Sequence, residues 1–293
     1  MTRKSFRQRH LLICSGLLGA VVAALVSIGC QSVPVSERRQ LLLVSEAEEN
    51  QLGLTAYQEV LKSEPVTSNE TAADIVRRVG QRIAAVADRP DFDWEFNVIE
   101  AETQNAFCLP GGKVAVYTGI LPICQNEAGL AVVMSHEIGH AIARHGGERM
   151  THQMVQNKVK DGVAFLMRDR KETTQKIVLT AYGAGAQYGA ILPYSRKHEL
   201  EADQIGIMMM ARAGYDPSEA PAFWERFSGQ KDGAAPMEFL STHPSDARRS
   251  FALRDALPEA MEIYDAAAEK IGTGQSLDGL TGAEAAKVDG KDI

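Results

Sequence analysis

The sequence predicts an α+β fold, mainly helical, in which a small sheet flanks one long apolar helix. Three observations carry this expectation. Apolar residues recur at three- and four-residue spacing, as at Ile75, Val79, Ile83 and Val86. Two short stretches, 94–100 and 113–118, read as strands. The helical pattern over 126–145 carries two histidines and an acid in His136-Glu137-Ile138-Gly139-His140.

The N-terminus reads as a targeting segment rather than part of the fold. Arg3, Lys4, Arg7 and Arg9 precede nineteen residues without a charge, 11–29, and then Cys30. Basic, apolar and small residues in that order form a secretory signal. Val26-Ser27-Ile28-Gly29 resembles a bacterial lipobox, with Ser27 where leucine is usual, so Cys30 is expected to carry lipid and become the N-terminus. Gln31 in place of aspartate favours sorting to the outer membrane. The competing reading is an uncleaved anchor, since nineteen apolar residues can just span a bilayer. Either way the body faces the periplasm.

Residues 30–44 then read as a tether, 45–258 as the domain, and 259–293 as a C-terminal segment, mostly disordered from Gly272. Ser45 can cap a helix over 45–61, with Glu46, Glu48 and Glu49 at its positive end and Leu52, Leu54, Tyr57, Val60 and Leu61 on an apolar face. A second helix is expected over 71–87, stopped by Pro90. The two strands follow, separated by a loop containing Pro110-Gly111-Gly112. After the helix over 126–145 comes a polar helical stretch, 148–174. The uncharged segment 177–193 holds Gly183, Gly185, Gln187 and Gly189, which suits a helix buried against 126–145 better than a membrane span. A last helix is expected over 195–213.

Composition excludes some functions. Hydrophobic residues make up 45% and charged residues 24%, as in soluble globular chains. The formal charge is -7, and removing 1–29 leaves 27 basic against 38 acidic residues, a net of -11. Phosphate backbones repel such a body, so nucleic acid is not an expected partner. An oxidising compartment permits a Cys108–Cys124 disulfide, and two unlinked buried thiols fit the sequence equally.

The chemistry sits in two motifs. On a helix, His136 and His140 lie ~40° apart on one face and ~6 Å along the axis, close enough to share one Zn²⁺. The neighbours Ala131, Val132, Val133, Met134, Ile138 and Ala141 are apolar, so these polar groups need partners inside the fold. Glu137 is placed to act on water beside the ion. A third protein ligand would leave one position open. His145 is nine residues past His136, ~900° of helix, and points to the opposite face. The metzincin pattern wants Gly at 143 and His at 146, where this chain has Ala143 and Gly146. A deformylase-type cysteine ligand would have to be Cys108, which lacks the expected surroundings. The remaining option is Glu199 in Ser195-Arg196-Lys197-His198-Glu199-Leu200-Glu201-Ala202-Asp203. Asp203, one turn on, faces the same way and can orient a ligating histidine through its free N–H. Glu201 reads as a surface acid and His198 as structural.

These motifs resemble the HtpX-like zinc metallopeptidase family, of the CAAX prenyl protease, BepA and LoiP type, and point to a periplasmic lipoprotein member. The resemblance covers about 45–258. It rests on Asn105-Ala106-Phe107 with Pro110-Gly111-Gly112, the H-E-x-x-H helix opening at Asn126-Glu127-Ala128, and Ser195-Arg196 leading to Glu199 and Asp203. Ala213-Gly214-Tyr215-Asp216-Pro217 and Ser241-Thr242-His243-Pro244 complete it. Cys108 departs from the usual alanine.

The resemblance implies a gluzincin-type metallopeptidase domain with one Zn²⁺ held by His136, His140 and Glu199, and Glu137 as catalytic base. It also implies that His243 serves as a regulatory fourth ligand or a transition-state donor, and that Arg249 steadies substrate or a carboxylate. If the strand over 113–118 edges the cleft, Val114 and Val116 lie where an extended substrate would pair through its backbone. The expected function is endopeptidase action on unfolded or misfolded envelope proteins, with outer-membrane assembly machinery as a candidate partner. The rival is a zinc-stabilised chaperone or assembly factor with mostly silent peptidase activity.

Overall fold

The computed structural model describes residues 30–186, 192–229, 243 and 247–280. The signal segment 1–29 lies outside them. The segment 30–44, expected as a tether, is folded onto the domain. Its strands β1 (Cys30–Ser32) and β2 (Arg39–Leu41) pair antiparallel. Val33, Gln40 and Leu42 are buried, and Gln40 Nε2 donates to Ala143 O at 2.9 Å. Two apolar anchors and the ion pairs of Arg38 described below hold it there.

Helix α1 (Glu46–Ser63) opens with a capping box between Ser45 and Glu48. Its buried face is Glu49, Gly53 and Tyr57 rather than the leucines, and Leu52 is exposed. Helix α2 (Glu70–Ala85) is capped by Asn69 and buries Ile75, Val76, Val79 and Ile83. It ends before Pro90 can act on it.

The sheet has three strands, β3 (Glu95–Ile99), β4 (Ala106–Leu109) and β5 (Lys113–Tyr117), in the order β3-β5-β4. β5 runs parallel to β3 and antiparallel to β4. β4 falls where the sequence suggested loop, because four residues are too few to display a period. The hairpin into β5 turns at Gly111 and Gly112, at φ 85° and 83°, backbone that only glycine adopts readily. β5 is therefore the central strand, with both backbone edges paired. The expectation that Val114 and Val116 border a cleft is corrected, and both are fully buried.

After the short α3 (Leu121–Cys124) comes the central helix α4 (Glu127–Ile142), buried along nearly its whole length. α5 (His145–Met167) follows, then α6 (Glu172–Ala186), α7 (Leu192–Arg212), α8 (Glu219–Gly229) and α9 (Ala247–Asp265). α6 packs on α5 and leaves Ile177 69% exposed, so it is not the helix buried against α4 that its lack of charge suggested. Residues 187–191 of that uncharged segment lie outside the described residues. No helix among the described residues is long and apolar enough to cross a membrane.

α4 and α7 make the most extensive helix contact among the described residues and define the site. They cross at two glycines: a Cβ on Gly139 would sit 3.0 Å from Ala202 O, and one on Gly206 would sit 3.1 Å from His136 N. That approach brings the acids of α7 to the histidines of α4.

The C-terminal segment also differs from expectation. Pro258 lies inside α9, so no boundary falls there. The chain beyond Gly272 packs on the domain as far as Leu280. Gln275 O and Thr273 O accept from the amides of Glu127 and Ala128, each at 3.0 Å, while Asn126 Oδ1 accepts from Gly129 N. The first amides of a helix lack intrahelical partners, and the tail supplies two at the start of α4. Leu277 is buried against it. Residues 281–293 lie outside the described residues.

Candidate metal centre

His136 and His140 stand one turn apart on α4, and Glu199 reaches them from α7. Glu199 Oε2 is 3.3 Å from His136 Nε2, and Oε1 is 3.5 Å from His140 Nε2. His243 joins them, with Nδ1 3.0 Å from Glu199 Oε2 and 3.3 Å from His136 Nε2. One donor atom from each of the four residues lies within 4.8 Å of the others. Two or three imidazole nitrogens and a carboxylate make a donor set suited to zinc. Ser241, Thr242 and Pro244 around His243 lie outside the described residues.

The electrostatics favour a cation here. Burial pushes the Glu199 carboxyl up, but hydrogen bonds from His136, His140 and His243 outweigh it and hold the group far below the usual carboxylate range. At His136 burial lowers the imidazole, yet Asp203 and Glu199 raise it to about 9. At His140 burial wins and lowers the imidazole well below its ordinary value. Burial raises Glu137 against the nearby His243 and His136. Glu137 is 4% exposed, and its Oε1 has no hydrogen-bond partner among the described residues, with His243 Nε2 3.4 Å away. A buried carboxylate oxygen that makes no hydrogen bond and faces only an imidazole of the cluster fits a site built to handle a proton.

The surrounding residues fall partly as expected. Asp203 Oδ1 lies 2.9 Å from His136 Nδ1, the ring nitrogen turned away from the cluster. Arg249 is 2% exposed, and of the two roles expected of it, steadying substrate or a carboxylate, it takes up the second here. Its guanidinium forks onto both Asp203 oxygens at 2.7 Å, lies 3.2 Å from Glu199, and sits 3.8 Å over the Trp224 ring. Trp224, which sequence reasoning missed, also packs its ring against His136. Its only sequence signal is an apolar period through α8.

Two corrections concern polar residues nearby. Glu201 is 6% exposed, not a surface acid, and it pairs with Arg38, His145 and Ser36. His145 does not point away from the site. α4 ends at Ile142, and Arg144 takes the left-handed conformation at φ 56°, so the chain doubles back. His145 Nδ1 then lies 2.7 Å from His140 Nδ1. His198 is buried and 2.8 Å from Glu148, the structural place expected for it. Cys108 and Cys124 are buried and unlinked, which decides between the two readings of the sequence.

A mainly helical domain with a two-histidine, one-glutamate cluster across two helices is a zinc metallopeptidase of the gluzincin kind. The model of Peptidase family M48 matches residues 70–257, and the chain belongs to that family; its site is that of a metalloendopeptidase using one zinc ion. Among relatives, the mitochondrial metalloendopeptidase OMA1 of Schizosaccharomyces pombe is 38% identical over 234 residues, 78% of this chain and 66% of the relative. OMA1 of Saccharomyces cerevisiae is 32% identical over 251 residues, 79% of this chain and 70% of the relative. The beta-barrel assembly-enhancing protease of Escherichia coli K12 is 29% identical over 241 residues, 78% of this chain and 49% of the relative. The chain thus spans about two thirds of the yeast proteins and about half of the bacterial one.

Proposed function

We propose that the protein is a zinc-dependent endopeptidase of the bacterial envelope that hydrolyses unfolded or misfolded proteins. The observation that carries this reading is the buried cluster of His136, His140 and Glu199 with a Glu137 oxygen beside it that makes no hydrogen bond. His136, His140 and Glu199 would hold the ion, and Asp203, itself gripped by Arg249, orients His136. Zinc supplies Lewis acidity, polarising a peptide carbonyl and making water a nucleophile near neutral pH. Glu137 takes the proton of the attacking water and returns it to the leaving amine.

Substrate recognition falls to β4 in place of β5. Its outer edge carries no further strand among the described residues, and β4 packs against α4, the helix that carries Glu137. An extended chain laid along that edge would pair through main-chain hydrogen bonds, which favours unfolded segments over particular sequences. Anchoring through a lipidated Cys30 at the periplasmic face of the outer membrane follows from the signal layout, and the name of the E. coli relative agrees with a partner in outer-membrane assembly.

The position of His243 favours a second reading alongside the first. With its Nδ1 among the donor atoms, His243 is a fourth ligand that closes the site, and such a resting form would act as an assembly factor with silent peptidase activity. The deciding experiment is metal analysis of purified protein together with casein cleavage, with and without chelator. One zinc per chain and chelator-sensitive cleavage are expected. Zinc without any cleavage would favour the assembly factor, and no zinc would overturn both.

A further inference from the structure

Behind His136 and, one residue further out, behind His140 stands a carboxylate gripped by an arginine from a distant part of the chain. Behind His136 these are Asp203 and Arg249. Behind His140 the arrangement is longer and starts at the N-terminal hairpin. His145 Nε2 lies 2.9 Å from Glu201 Oε2. Arg38 Nε and one terminal nitrogen donate to that same oxygen at 3.0 and 2.8 Å, and both terminal nitrogens reach Glu148 at 2.9 and 2.7 Å. His198 stacks on His145, with ring centres 4.0 Å apart, and binds Glu148 at 2.8 Å. His145 and Glu148 are fully buried.

Proton positions follow from the geometry. His140 turns Nε2 toward His136 and Glu199, at 3.1 and 3.5 Å. A nitrogen that binds a metal carries no hydrogen, so the neutral ring holds its hydrogen on Nδ1. Nδ1 is the atom 2.7 Å from His145 Nδ1. His140 therefore donates and His145 accepts. The hydrogen of His145 must then be on Nε2, where Glu201 receives it. Each atom in the row has one role, and Arg38 neutralises the acid at the end.

The same hairpin holds the backbone that makes this possible. A non-glycine residue at positive φ is strained. Arg144 at φ 56° is held by Glu49 at 2.6 Å, Gln31 at 2.8 Å and Val44 O at 3.1 Å, while Gln40 fixes Ala143 O. Three of these partners, Gln31, Gln40 and Val44, lie in the 30–44 segment.

We infer that His145 and Glu201 are positioning residues that fix the ring and tautomer of His140, and that Arg38 locks them, so that the zinc site is complete only when the N-terminal hairpin is docked. This rests on the zinc reading above. Outer partners of this kind typically change metal affinity by about 10–100-fold when removed.

The test is zinc affinity of the full chain, measured by competition with a chromophoric chelator. His145→Leu is expected to weaken zinc by about 10–100-fold. His145→Asn, whose side-chain oxygen can accept from His140, is expected to recover most of that loss. Arg38→Met should weaken zinc in the same direction. Gly214→Ala, a strained site elsewhere, should lower Tm and leave zinc affinity unchanged. In the zinc-loaded wild type, ¹⁵N-resolved imidazole spectra should show His140 as the Nδ1–H and His145 as the Nε2–H tautomer. Wild-type affinity in a folded His145→Leu or Arg38→Met protein, or His145 protonated on Nδ1, would overturn the inference. If His145→Leu does not fold, Arg38→Met and the wild-type spectrum still decide it. A wild type that takes up no zinc would instead sink the metal reading.

Discussion

Replacing Glu137 by glutamine separates the proton chemistry from the metal site. The amide keeps the shape of the carboxylate but cannot take a proton. Glu137 supplies none of the four converging donor atoms, so zinc content should stay at one per chain. Positioned general bases contribute about 10²–10⁴-fold, which at ~1.36 kcal/mol per decade is roughly 3–5 kcal/mol of transition-state stabilisation. Casein cleavage by Glu137→Gln should fall by that factor with KM little changed. Folding should not suffer, because burial already disfavours the charge at this place and a neutral amide is cheaper to bury. The assay is initial rate at saturating zinc, with metal content and Tm measured on the same preparation. A mutant within about threefold of wild type, or one that has lost its zinc, would refute the assignment, because the expected loss spans at least two decades.

Four further outcomes follow. Glu199→Ala removes one ligand and leaves the charge of Arg249 less compensated, so zinc content should drop well below one per chain and cleavage should vanish; stoichiometric zinc would refute Glu199 as ligand. His243→Ala opens the fourth position and should raise casein cleavage severalfold, whereas an unchanged or lowered rate speaks against a plug. Burial lifts the Tyr57 phenol to about 12, opposed by a bond from Asn97, so between pH 10 and 12 the unfolded chain loses a proton that the folded chain keeps. Stability then falls with rising pH; denaturant midpoints of wild type should drop faster there than those of Tyr57→Phe, and parallel curves would refute it. Gly214→Ala places a Cβ 2.1 Å from Glu269 O at φ 85°, and should cost at least about 1–3 kcal/mol, read as a lower Tm.

Much of the site was legible because helical spacing is local. His136, Glu137 and His140 share a face through the 3.6-residue turn, and the four-residue step from Glu199 to Asp203 puts both acids on the same side of α7. The long helices were legible through their apolar period and, at Ser45, through a cap. β4 was not, since four residues carry no pattern, and without it β5 passes for an edge. The lack of charge over 177–193 suggested burial, but hydropathy does not say which neighbour covers a helix, and Ile177 faces solvent.

What the sequence by itself determined is which side chains can share an ion and that most of the chain is helical. Those follow from residue type and short-range geometry. The tertiary structure alone decided which groups stand behind the ligands. His145 reverses direction where Arg144 turns left-handed under the grip of Glu49, Gln31 and Val44 O, and Glu201 is buried among His145, Ser36 and an Arg38 that arrives from 163 residues earlier in the chain. Contacts between residues so far apart leave no periodic trace, because they depend on where two unrelated segments come to rest.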